Sequence, residues 1–156
     1  MRQIDGMLPL DDVRDLADEI QLLFADLDRA RPLDERLLPG VFSPTLDALE
    51  TTDAVEIVVD LPGVAIDDVR VLLKQDIVLI VGGKMPPDPG ERSDASFHLV
   101  ERDFGRFVRA VRVAGVLDGG KATAVLGSGE LRIRIPKIED RRGRNIMVPV
   151  KRAPGA

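Results

Sequence analysis

A chain of 156 residues is long enough to bury a core of its own, and with no cysteine it forms no disulfide, thiol nucleophile or cysteine-ligated metal site. A net charge of −5 without Tyr or Trp lacks the basic footprint and the best stacking residues of a nucleic-acid binder, so no nucleic-acid partner is expected. The start MRQIDGMLPLDDVRD has no basic, apolar export signal, and no run approaches the roughly 20 apolar residues of a membrane span. The expectation is a soluble cytoplasmic protein with no membrane partner.

Charge is unevenly spread. Residues 1 to 44 carry 10 acidic against 5 basic groups, whereas residues 137 to 156 carry 6 basic against 2 acidic. Arms of opposite sign suggest contact between chains. Within the first arm, Leu10, Val13, Leu16, Ala17, Ile20, Leu23, Phe24 and Leu27 recur at three- and four-residue spacing, which predicts an amphipathic helix over about 10–30. Asp11 and Asp12 suit its cap and first turn, Arg29 and Arg31 its C-terminal end, and Pro32 stops it. Such a stripe either packs on its own domain or faces a partner or client; the second reading is taken here.

After a linker punctuated by Pro32, Pro39, Gly40 and Pro44 the period changes to two. AVEIVVDL and ELRIRI alternate apolar with charged residues, as half-buried strands do. Between them VRVLLK (69–74), IVLIV (77–81), FHLVER (97–102), FVRAVRV (107–113) and KATAVL (121–126) are set apart by Gly, Pro and Asp turn signals. Seven short strands so spaced predict an all-β, immunoglobulin-like β-sandwich. Residues 82–96 are too polar and Pro-rich for a core strand and read as a long, functional loop.

No catalytic constellation assembles. Gly115 to Ala122, GVLDGGKA, nearly matches a phosphate-cradling loop, but Ala122 lacks the magnesium-binding hydroxyl and a strand follows instead of a helix. His98 is the single histidine, which removes multi-histidine metal sites, and no G-x-S-x-G elbow accompanies it. Asp67 with Asp68 read as turn caps, and Glu101 with Asp103 as ion-pairing neighbours of Arg102. No cofactor, metal or enzymatic activity is expected.

In order, Asp60-Leu61-Pro62-Gly63, then VAIDDVRVLLKQDIVLIVGGK, then FHLVERDFGRFVRAVRV, then Ala124, Gly129 and Leu131 in AVLGSGELRIRIPK form a recognisable series. Over residues 44 to 150 the chain resembles the small heat shock proteins, the α-crystallin family. The resemblance implies a helical N-terminal arm (1–43), an α-crystallin-type sandwich (44–137) and an extended C-terminal tail (138–156). It also implies an ATP-independent holdase chaperone that binds non-native client proteins and assembles with itself from dimers into larger homo-oligomers.

The site residues follow from the same resemblance. Val148-Pro149-Val150, with Ile146 in the same alternating register, matches the family's I/V-x-I/V tail motif. Its receiving groove is expected at Val69, Val71, Leu73, Thr123 and Val125 of a neighbouring subunit. The 82–96 loop is similar to the loop that exchanges strands between dimer partners, and Arg109, Glu101 and Phe97 are expected at that interface. Clients are expected on Leu16, Ile20, Leu23, Phe24, Leu27 and Phe42, with help from Leu37, Leu38 and Val41. Gly83, Ala114 and Glu130 depart from the family pattern, which prefers an acidic residue, a proline and an apolar residue at those places.

Overall fold

The structure is a computed structural model that describes residues 10–30, 42–87 and 94–138 and the single positions 150 and 152. Its elements are one helix, α1 (Leu10–Ala30), and seven strands: β1 (Leu46–Glu50), β2 (Ala54–Asp60), β3 (Val69–Lys74), β4 (Ile77–Lys84), β5 (Gly105–Arg112), β6 (Thr123–Gly127) and β7 (Glu130–Pro136). All pairings are antiparallel: β1-β2-β7-β6 form one sheet and β3-β4-β5 the other.

Period-two alternation makes the sandwich. On β2 the row Val55, Ile57 and Val59 turns inward, opposite Ile135, Ile133 and Leu131 of β7, while Arg132 and Arg134 stay exposed. From the other sheet Val69, Val78, Ile80 and Phe107 close the same core. The β6–β7 hairpin turns in two residues, Ser128 (φ 52) and Gly129 (φ 76), both left-handed as the strand twist requires. That two-residue turn locks the register, so Ala124 pairs with Ile133 and Val125 with Arg132.

Strand IVLIV is buried on both faces. Val78 and Ile80 point into the sandwich, whereas Leu79 and Val81 point to the other side of the sheet, where α1 covers them with Leu27, Ile20, Leu23 and Phe24. Three ion pairs frame this contact: Arg70 with Asp26 at 2.9 Å, Lys74 with Glu19 at 3.0 Å and Arg106 with Asp28 at 2.9 Å. The Arg106 guanidinium also lies 4.9 Å from the centre of the Phe24 ring.

The strands differ from expectation in three places. LDALE, which lacks an apolar alternation, forms β1 because β2 offers it a free edge, pairing Leu46 with Val59 through Glu50 with Val55. FHLVER forms no strand: residues 97–102 are exposed and pair with no described strand, and a strand exists only where a partner takes its backbone groups. β4 also runs on through Gly82, Gly83 and Lys84, residues expected in the loop, because the missing side chain of Gly82 lets Phe107 of β5 lie against it. At the β1–β2 turn the Thr51 hydroxyl donates to Asp53 (2.7 Å). With the Asp53 backbone and the Arg134 and Lys137 charges, this holds the carboxyl below its usual range.

Candidate functional site

Four strands end their sheets: β1 and β6 in one, β3 and β5 in the other. Where β3 and β6 come together the sandwich stays open, leaving a groove of about 390 Å³ lined by Val71, Leu73, Val78, Thr123, Ala124, Ile133 and Ile135, with Gly119 and Ala122 at its margin. Among the described residues no ionisable side chain lines it. Such a groove has no means to activate a nucleophile or move a proton; it can take apolar side chains, while the edge strands offer backbone hydrogen bonds.

The expected groove residues divide. Val71, Leu73 and Thr123 line it, whereas Val69 is buried in the core. Val125 is 63% exposed on the outer face opposite Arg132, so its placement in the groove is corrected. The inward-facing residues of β6 are Leu126, which packs on the core, and Ala124, whose small side chain leaves the groove open. That position was readable: Ile133 belongs to the inward row of β7, and a two-residue turn pairs it with Ala124. In the tail, Ile146 and Val148 lie outside the described residues, and Val150 is fully exposed.

At the opposite margin β1 and β5 flank a second, smaller groove of about 290 Å³ that includes Ala48, Leu49, Val55 and Val113, with Arg112 bound to Asp76 at 2.8 Å on its rim. Phe97 (81% exposed), Leu99 and Val100 stand in solvent on the segment that found no strand partner, and Glu101 is exposed beside them. Arg109, expected at the dimer interface, is half-buried and engaged within its own chain. Its Nη1 donates to the carbonyl oxygen of Pro44 at 2.7 Å, tying the segment before β1 to β5. A charge-assisted hydrogen bond of this kind is worth about 1.5–3 kcal/mol. Arg109→Ala is expected to loosen residues 42–45 and cost about that much in urea unfolding, with Arg109→Lys recovering part of it.

The expected client residues are largely engaged within the chain. Leu16 and Leu27 are 4% and 3% exposed, and Ile20, Leu23 and Phe24 are half-buried on the β3-β4-β5 sheet. Phe42 meets Phe107 edge-on at 5.7 Å and carries the Lys84 ammonium 4.8 Å over its ring. The stripe thus packs on its own domain, because the outer face of that sheet is itself apolar and needs a cover. The unbroken run IVLIV was the sequence signal, since a strand with one wet face alternates. Leu37, Leu38 and Val41 lie outside the described residues.

The loop Gly119–Lys121 is a single turn of 3-10 helix leading into β6, with Lys121 exposed and paired to Asp118 at 3.5 Å, which removes the phosphate-loop geometry. Among the described residues no three His, Cys, Asp or Glu side chains gather as a metal site, and no helix is long and apolar enough to cross a membrane.

Comparison with known proteins decides what this sandwich is. Residues 47–151 match the model of the Hsp20/alpha crystallin family. The chain belongs to that family. It is 31% identical over 117 residues to Heat shock protein 16 of Schizosaccharomyces pombe, covering 75% of this chain and 82% of that one. Among solved structures, Heat shock protein 16.0 from Schizosaccharomyces pombe superposes with a TM-score of 0.61 at 28% identity, over 71% of this chain and all of the other. A small heat-shock protein from Xylella fastidiosa does so with a TM-score of 0.58 at 27% identity, over 71% of this chain and all of that one. Small heat shock proteins are ATP-independent stress chaperones and not enzymes, and as a family they form homo-oligomers and bind client proteins.

Proposed function

We propose that this small heat shock protein is a cytoplasmic holdase, which captures partly unfolded proteins through apolar surface and keeps them from aggregating without consuming ATP. The observation that carries the reading is the open apolar groove between two edge strands, which has no ionisable side chain among its described lining residues and is suited to an extended apolar segment. In this reading residues 1–43 are an arm, 44–137 the sandwich and 138–156 a tail.

Ile146, Val148 and Val150 of one subunit occupy the β3/β6 groove of another, Pro149 keeping the segment extended and off any central sheet position. The segment Phe97 to Arg102 adds to the free edge of β1 in a second copy, which gives the exposed Phe97, Leu99 and Val100 a cover. The solved Xylella fastidiosa relative reveals a distinct high order structure, and these two contacts would build a higher-order assembly of this chain as well. Heat loosens these contacts and frees apolar surface, and mass action then favours complexes with non-native chains.

The test is light scattering by a heat-aggregating client in ATP-free buffer, with size-exclusion chromatography of the protein alone. An oligomer that suppresses scattering at near-stoichiometric ratios is the expected result. Undiminished scattering in the presence of a monomer or plain dimer would overturn the holdase reading and favour an adaptor that docks one folded partner.

A further inference from the structure

The contact between α1 and the β3-β4-β5 sheet is polarised in charge. The sheet offers an apolar floor, Leu72, Leu79, Val81 and Ala110, between cations on both flanks: Arg70 and Lys74 on β3, Arg106 on β5. The helix offers the complement, an apolar stripe edged by Glu19, Asp26 and Asp28. All three described ion pairs across the contact run in the same sense, with the acid on the helix and the base on the sheet.

The helix is nevertheless held lightly. Its three ion pairs are each partly exposed, and pairs of that kind contribute little to stability. Its apolar contacts form a cluster separate from the sandwich core, so the sheet keeps its own packing if the helix leaves. Eleven residues, 31–41, join α1 to Phe42, where the chain is fixed against Phe107. A short tether of this kind keeps a departed helix at high effective concentration and makes its return fast and competitive.

We propose that the outer face of the β3-β4-β5 sheet is a second client site, selective for amphipathic segments with acidic flanks, and that α1 is its intramolecular occupant. The proposal rests on the holdase reading for the nature of the ligand: a non-native protein exposing an apolar stripe bordered by carboxylates. Such a segment displaces α1 by presenting the same pattern, and a basic segment is repelled by Arg70, Lys74 and Arg106. The stripe of α1 then acts first as a competitor and only after release as apolar surface in its own right.

The experiment uses the full chain and a fluorescein-labelled peptide with the sequence of residues 10–30, followed by anisotropy. In the unaltered chain α1 competes, so binding is weak. Ile20→Asp with Leu27→Asp loosens the helix without touching the sandwich core and should tighten peptide binding by about tenfold or more. Adding Arg70→Glu and Lys74→Glu to that opened chain should weaken binding about three- to tenfold, since exposed pairs count for little singly but act together here. A peptide bearing Glu19→Lys and Asp26→Lys should recover it.

Equal binding by closed and opened chains, or indifference to peptide charge, would overturn the proposal. Charge recovery also guards against misfolding, because a chain damaged by Arg70→Glu and Lys74→Glu cannot regain affinity when the peptide is recharged. The two readings separate cleanly. Peptide binding as stated with no protection of an aggregating client leaves the site standing and removes the holdase; protection of the client with charge-blind binding does the reverse.

Discussion

Gly82→Ala is expected to unfold the sandwich at much lower temperature than the unaltered chain. A Cβ built on Gly82 would lie 2.5 Å from Cζ and 2.9 Å from Cε1 of Phe107, and closer still to the carbonyl oxygen of Asp68. Neither neighbour can yield. Phe107 is 2% exposed within the core, and the Asp68 carbonyl belongs to backbone that turns directly into β3. Overpacking of this kind costs about 3 kcal/mol or more, which for a domain of this size lowers Tm by roughly 10 to 20 °C.

Gly127→Ala is the internal control. No atom lies within 4 Å of the Cβ it would gain, and its φ is not positive, so the change should be neutral or stabilise by up to about 1 kcal/mol. Thermal unfolding followed by circular dichroism at one fixed protein concentration separates the two, because assembly makes Tm depend on concentration. Equal Tm for Gly82→Ala and Gly127→Ala would remove the close approach of Phe107 to β4 as a support of the fold.

The sandwich was legible wherever a strand had one wet face. Glu56 beside Ile57, and Arg132 and Arg134 beside Ile133, declare which side is in, and the Ser128–Gly129 turn then carries that parity into β6. It was less legible where pairing, not composition, makes the strand. LDALE has too little alternation to announce β1, whereas FHLVER has strand-like composition and pairs with no described strand.

Val125 was placed in the groove from the family resemblance, whereas the hairpin register puts Ala124 inside. The helix stripe was legible as a stripe but not as to its target, since amphipathicity reports that a face will be buried and not against what. Only the double-faced burial of IVLIV, read together with that stripe, joins the two.

Val148→Ala with Val150→Ala should collapse the assembly to dimers. Removing two methyl groups from each docked valine forfeits part of the roughly 1.5–3 kcal/mol that each buried valine contributes. A combined loss of about 2–3 kcal/mol per docked tail weakens each contact roughly 30- to 150-fold, enough to empty grooves at micromolar protein.

The reciprocal change lies in the groove. Ala124 faces the space between Val71, Leu73 and Ile133, and Ala124→Phe would fill it from the β6 side without altering the tail. Both variants, measured by size-exclusion with light-scattering detection, should give the same small species. Combining them should add nothing, because a contact already lost cannot be lost twice. If Ala124→Phe leaves the assembly intact while the tail variant dissolves it, the tail docks elsewhere, and the β1/β5 margin with Leu49 becomes the place to look. If both leave it intact, the valines of the tail do not hold the oligomer together.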